Sequence, residues 1–334
     1  MLKHPVAPGA RRQDFPGGTV RARLLGLVLR STVKPLLGIW ARYPLAPWPY
    51  AAIDHVGKLL TVAPGSSTTP VRLPNCDARL VSPPEPRDQH TVLYLHGGGF
   101  YVGHQHLHRQ MVARFATRLG SAVLAVNYRM LPHHAVGDSI ADCVDGYRHL
   151  VRSGIAPSEI VIMGDSAGGY LALMTTIEAI EQGMPAPAAV VAMSPLADWS
   201  PAGKLGAPTS TTCDVFPARA VPVLTAQAEA ARQRSRTRAG RAPLRSPVDC
   251  DLARLPPVLI QASSREMVYP DAVHLAERLA DHGVECTLQV WRDQVHVFQA
   301  AAGIVPESAR AVAQIAAFVD GIASARSRQR LLRA

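Results

Sequence analysis

From residue 91 to the end, short apolar runs alternate with longer stretches whose apolar residues recur at helical spacing, and this alternation limits the folds open to the chain. "TVLYLHGGGF" (91–100), "AVLAVNYR" (122–129), "EIVIMGDSAGG" (159–169), "AAVVAMSPL" (188–196), "PPVLIQASS" (256–264) and "ECTLQVW" (285–291) read as strands. Between and after them, 106–120, 138–154, 170–183, 269–283 and 306–324 read as helices, four of them closing on or next to a glycine. Strands alternating with helices give βαβ units. These predict a mostly parallel sheet covered on both faces, with right-handed crossovers. In such a sheet, functional loops belong at the C-terminal ends of the strands.

Two stretches stand outside the alternation. Residues 1–60 are basic and apolar, partly helical by pattern, and interrupted by Pro44, Pro47 and Pro49. Residues 61–76 read as turns and edge strands, and 81–90 as a loop. Residues 197–250 begin directly after a strand and are rich in Pro, Ala and Arg, as expected of an insertion over the strand ends. The chain is thus divided into an N-terminal segment, 1–60, and an α/β domain, 61–334, with an insertion at 197–250. A length of 334 residues suits one large α/β domain with insertions.

The formal net charge is +10. The arginines collect in the first 42 residues, between Arg232 and Arg245, and between Arg326 and Arg333, with no nucleic-acid motif beside them. Solvated surface is the expectation, and no nucleic-acid partner. The five cysteines, Cys76, Cys143, Cys213, Cys250 and Cys286, are scattered and contain no CxxC pair. Neither a disulfide framework nor a metal site is expected, and the usage fits a reducing compartment. "LLGLVL" (24–29) is followed by Arg30, Lys34 and Pro35, so it reads as no signal peptide. No uninterrupted apolar run reaches the roughly 18 residues that span a bilayer. A cytoplasmic location follows, with one qualification. Residues 20–45 mix Arg with apolar residues at helix-like spacing, which fits either a lid packed on the domain or a segment resting on a membrane surface.

Three strand ends carry residues suited to chemistry. Gly164-Asp165-Ser166-Ala167-Gly168 lies between an apolar strand and a helix. A GxSxG turn in that setting lifts its serine onto a sharp elbow, and the following helix aims N–H groups at the same point. His96-Gly97-Gly98-Gly99-Phe100 closes an earlier strand, and its glycines let backbone N–H groups approach an anion. His296 follows the last strand, where a base could reach Ser166. It stands out by position among thirteen histidines, and His104, His106, His108, His133 and His134 read mostly as surface residues.

"HGGGF", "NYRMLP", "GDSAGG", "MSPLADWS", "LARLPPVLIQ" and "VWRDQVHVF", in that order, resemble the hormone-sensitive-lipase-type branch of the α/β-hydrolase superfamily, over about residues 70–320. The resemblance implies an α/β-hydrolase fold with a helical cap, formed by the N-terminal segment and the insertion. It also implies a triad acid in the loop after the penultimate strand. There Glu266 falls at the acid position, a departure from the usual Asp, and Asp271 at a later acidic position. Glutamate can serve, since the fold uses Asp or Glu. His133 departs from a glutamate common in relatives, which touches secondary contacts only.

The expected function is a serine carboxylesterase acting on short- to medium-chain esters through an acyl-enzyme, with Ser166, Glu266 and His296 as triad. Gly98, Gly99 and Ala167 supply the oxyanion hole. His96, Gly97, Gly164 and Gly168 support the two motifs, and Asp165 takes no catalytic role. No cofactor or metal is expected. The partner is a small-molecule ester, with peripheral membrane contact through the N-terminal segment and a homodimer left open. Two other readings remain: a fold-retaining binding protein without catalysis, and a membrane-surface lipase with the same triad.

Overall fold

The computed structural model describes residues 10–57, 66–87, 90–103 and 106–331. The expectations for residues 1–9, 58–65 and 88–89, for His104 and for Arg333 fall outside the described residues. Nine strands form one sheet in the order β1-β9-β8-β7-β6-β4-β5-β3-β2. In the chain they are β1 (Ala10–Phe15), β2 (Ser67–Arg72), β3 (Asp77–Ser82), β4 (Thr91–Leu95), β5 (Ala122–Asn127), β6 (Ile160–Asp165), β7 (Ala189–Met193), β8 (Val258–Ser263) and β9 (Cys286–Trp291). The β2–β3 and β3–β5 pairs are antiparallel and every other pair is parallel.

Alternate residues of the central strands serve opposite faces, as the two-residue repeat of a strand requires. On β4, Leu93 and Leu95 enter the larger core while Val92 and Tyr94 enter the second. On β6, Ile160 and Ile162 face the first and Val161 and Met163 the second. Both faces are covered, so these strands read as continuous apolar runs.

The helices are α1 (Val20–Ser31), α2 (Val33–Arg42), α3 (Tyr50–Val56), α4 (Arg109–Leu119), α5 (Val136–Arg152), α6 (Ala167–Glu181), α7 (Ala202–Gly206), α8 (Thr209–Thr212), α9 (Ala220–Arg234), α10 (Arg238–Arg241), α11 (Tyr269–Asp281) and α12 (Pro306–Leu331). α5, α6 and α11 contribute to the first core, α4 and α12 to the second. α6 begins three residues before the helical periodicity predicts, because Gly168 and Gly169 carry no side chain to show the repeat. α7 to α10 occupy the interruption at 197–250.

Two findings concern the N-terminal segment. Ala10–Phe15, which was expected to belong to the cap, forms β1 and pairs in parallel with β9. Phe15 stacks on Trp291 at 4.1 Å and Gln289 donates to the side chain of Gln13 at 2.8 Å, so side chains as well as backbone hold this edge strand. Val20–Arg42 forms a 23-residue helical stretch apolar enough, by length and composition, to cross a membrane. Arg30 and Lys34 interrupt the apolar run, as the sequence shows, without lowering its mean hydropathy far. Core helices and signal sequences meet the same criterion.

Candidate active site

Ser166 stands between β6 and α6 with φ 55° and ψ −118°, a backbone that residues with a side chain rarely adopt. Its surroundings explain the flanking glycines. A Cβ on Gly164 would lie 2.0 Å from the Gly168 carbonyl oxygen, and one on Gly168 would lie 1.9 Å from that of Leu95. The elbow therefore closes only with glycine at both places. The Ser166 N–H donates to the Met193 carbonyl at 2.8 Å, and its own carbonyl accepts from Leu196, which fixes the turn against β7.

His296 meets Ser166 from the loop after β9. Its Nε2 lies 2.8 Å from Ser166 Oγ and its Nδ1 lies 2.6 Å from Glu266 Oε2. With a carboxylate at Nδ1, that nitrogen carries the proton, leaving Nε2 to accept from the serine hydroxyl. Glu266 is 1% exposed, and its second oxygen accepts from the Ser263 N–H at 2.7 Å. Asp271, the other candidate acid, is engaged elsewhere. It accepts from Lys204 Nζ at 3.0 Å and from the N–H groups of Ala197 and Asp198. Burial pushes the Asp271 carboxyl up, against the opposing pull of Lys204 and those two N–H groups.

The glycine loop after β4 lies beside the elbow. Gly98 and Gly99 have φ 107° and 62°, and a Cβ on Gly98 would stand 2.0 Å from the Val102 carbonyl oxygen. Space around Gly99 is open, with nothing within 4 Å of such a Cβ. Ala167 is the first residue of α6, where the backbone N–H has no intrahelical acceptor. The loop packs directly on the elbow, since a Cβ on Gly97 would stand 2.8 Å from the Asp165 carbonyl oxygen and one on Gly168 2.6 Å from that of His96. The His96 ring stacks on Tyr128 at 4.2 Å, its Nδ1 lies 2.8 Å from the Gly97 carbonyl oxygen, and Tyr128 donates to the His96 carbonyl.

Several residues of the site escaped the sequence reading. Asp165 is buried under the glycine loop, accepting from the Tyr94 hydroxyl and from the Gly97 N–H at 3.0 Å. His108, expected at the surface, places Nε2 3.4 Å from the other Asp165 oxygen. Ser194 accepts from the Val297 N–H at 3.2 Å, and Ser263 donates to the Gln294 carbonyl at 2.5 Å, so two hydroxyls tie down the loop that carries His296. Phe216, from the insertion, sets its ring edge-on to His296 at 5.0 Å. The available signal was a polar residue closing an apolar strand, as Asp165, Ser194 and Ser263 all do. Among the described residues no group of three or more His, Cys, Asp or Glu side chains is placed to hold a metal ion.

A serine on an elbow, a histidine nitrogen 2.8 Å from its hydroxyl and a buried carboxylate at the other ring nitrogen suit acyl transfer. A sequence-family model for the alpha/beta hydrolase fold matches residues 92–300. The chain is 38% identical to esterase LipU of Mycobacterium tuberculosis over 86% of its own length and 98% of the relative's. It is 36% identical to the carboxylesterase/phospholipase LipF of the same species, covering 91% of this chain and 82% of LipF. An acetyl-hydrolase of Streptomyces hygroscopicus is 35% identical over 78% of this chain and 84% of its own. Among solved structures, EstE5 superposes with TM-score 0.81 at 27% identity, over 92% of this chain and all of that one. An esterase of the bacterial hormone-sensitive lipase family gives TM-score 0.78 at 28% identity, over 91% and 98%.

Proposed function

The chain belongs to the α/β-hydrolase family, as a hormone-sensitive-lipase-type bacterial carboxylesterase, and from that premise we propose that Ser166, His296 and Glu266 are its nucleophile, base and acid. One observation carries the assignment: a continuous line of contacts from Ser166 Oγ to His296 Nε2 at 2.8 Å and from His296 Nδ1 to Glu266 Oε2 at 2.6 Å. His296 takes the hydroxyl proton as Oγ attacks the ester carbonyl carbon. The carbonyl oxygen becomes an oxyanion held by the N–H groups of Gly98, Gly99 and Ala167, each worth about 3 kcal/mol by analogy with other oxyanion holes. His296 then gives its proton to the departing alcohol. Water, deprotonated in turn by His296, attacks the acyl-enzyme carbonyl, and His296 returns that proton to Ser166 Oγ as the C–Oγ bond breaks and the acid leaves. Glu266 orients the imidazole and stabilises its charged form.

The proposal extends to substrate, place and domains. Residues 20–57 and the 197–250 insertion act as a cap that limits the acyl chain to short or medium length. All five cysteines are free, which fits work in a reducing compartment such as the cytoplasm. A second reading, the same triad acting on ester presented at a lipid surface, is favoured by the exposed apolar residues of α1 and α2, and one relative bears the name phospholipase.

Hydrolysis of p-nitrophenyl acetate, butyrate and decanoate tests the assignment. Ser166→Ala should lower kcat by about 10⁴-fold or more, and Glu266→Gln by about 10³–10⁴-fold, since an amide facing Nδ1 favours the wrong tautomer. Asp271→Asn in a protein that still folds should stay close to the parent. Equal trace turnover by the parent and Ser166→Ala would point instead to a binding protein.

A further inference from the structure

Eight of the ten exposed large apolar side chains among the described residues lie between Val20 and Leu45. On α1 they are Val20, Leu24, Leu27 and Val28, a stripe at helical spacing. Opposite them, Ala22 and Gly26 are buried, and Leu25 and Leu29 pack against the cluster of Trp291 and Phe298. α2 repeats the arrangement, with Leu36 and Ile39 outward, Tyr43 exposed just past its end, and Trp40 and Ala41 in the main core. Both helices are therefore apolar on the face that meets the body and on the face turned away from it. Packing on the domain accounts for the first face only.

The charge of the same stretch is one-sided. No Asp or Glu occurs between Asp14 and Asp54, while Arg21, Arg23, Arg30, Lys34 and Arg42 do. Arg30 pairs with Asp214 at 2.6 Å. Among the described residues no ion pair joins Arg21, Arg23, Lys34 or Arg42 to a carboxylate. On α1, Arg21 and Arg23 are each within one turn of Leu24 and flank the outer stripe. Such residues lay their stems along apolar surface and keep their charge at its rim.

The helices also lie at the catalytic end of the sheet. A Cβ on Gly26 would stand 3.0 Å from Asp214 Oδ2 and 3.7 Å from Val295, the neighbour of His296. Trp40 meets Tyr101, two residues past Gly99, edge-on at 5.4 Å. From this geometry we propose that the outer faces of α1 and α2 dock on an anionic lipid bilayer, lying in its interface beside the active-site mouth. This deepens, and rests on, the lipid-surface reading of the same triad. In-plane docking keeps the inner faces where they are. Spanning the bilayer would strip Trp40, Ala41, Leu25 and Leu29 from the body. An interfacial helix with apolar anchors and a cationic rim binds more strongly as the lipid becomes anionic, and less as salt rises.

The test is co-sedimentation of the full chain with vesicles of phosphatidylcholine alone or mixed with phosphatidylglycerol, at low and high salt. Binding should need phosphatidylglycerol and fall with salt, and Leu27→Glu/Ile39→Glu should reduce the bound fraction by about ten-fold. Hydrolysis of soluble p-nitrophenyl acetate by that variant should stay within about two-fold of the parent, which shows it folded. Ser166→Ala should bind vesicles like the parent while losing turnover, so failure of the triad and failure of the docking surface give different results. Binding that ignores lipid charge, or survives the double substitution, would overturn the proposal. So would a dimer in solution that the same substitution splits, with no vesicle binding, because the face would then meet a second copy of the chain.

Discussion

Asp165 lies inside the elbow motif with its carboxylate buried under the glycine loop. Its Oδ1 accepts from the Gly97 N–H and the Tyr94 hydroxyl, and a Cβ on Gly97 would stand 2.2 Å from Oδ2. The carboxylate therefore positions the glycine loop, and the glycine leaves room for it. Burial disfavours charge on both Asp165 and His108, yet their mutual attraction outweighs it, lowering the Asp165 pKa and raising that of His108. A raised histidine contributes stability in full below its unfolded value of 6.5, and loses it as pH rises through the folded value. A lowered carboxylate contributes above its unfolded value and loses that as pH falls through the folded one. The pair should therefore stabilise most between those limits. Thermal unfolding of His108→Gln beside the parent checks this. The difference in Tm should be largest between pH 3.8 and 6.5 and shrink as pH rises above that window. A constant difference would mean that His108 only fills space. No local pattern could show this contact, since 57 positions of chain separate the two residues.

At the scale of elements, the attachment of the insertion is decided by a buried ion pair. Lys204 on α7 and Asp271 in the first turn of α11 are 2% and 3% exposed, and Lys204 Nζ also donates to the Asp198 carbonyl at 2.6 Å. Asp271 thus fastens the start of the insertion, while Glu266, five residues earlier, meets the histidine. Removing one partner of such a pair leaves a buried charge and costs about 3–5 kcal/mol. Lys204→Met should lower stability by that order in denaturant unfolding, and Lys204→Met/Asp271→Asn should recover part of it. A double variant as unstable as the single would mean that the cost lies in packing. β1 shows where element reading stops. "ARRQDF" has no apolar alternation, and its strand conformation comes from pairing with β9 and from Phe15 on Trp291. The strands from β4 onward were legible because burial on both faces demands uninterrupted apolar residues.

For the whole molecule, the sheet, the N-terminal helices and the insertion share one core. Trp40, Trp199 and Leu288 belong to the same cluster although they come from those three parts. Unfolding should accordingly be a single transition, with tryptophan fluorescence and far-ultraviolet circular dichroism giving the same midpoint. An earlier fluorescence change would mark the N-terminal helices, which carry Trp40, as a separate unit. The net charge of +10 does not form a single basic face. In the internal arginine run, Arg245 pairs with Glu178 and Glu181, and Arg232 with Glu229.

The sequence by itself determined the parallel sheet, the elbow at Ser166 and the glycine loop at 96–100, because each is written in neighbouring residues under short-range rules of periodicity and steric room. The position of His296 after the last strand followed from the same ordering. Only the tertiary structure decided which carboxylate faces His296, what Asp165 and His108 do, and which faces of α1 and α2 stay uncovered. Those depend on loop paths and on contacts between distant segments, where a shift of a few ångströms exchanges one partner for another.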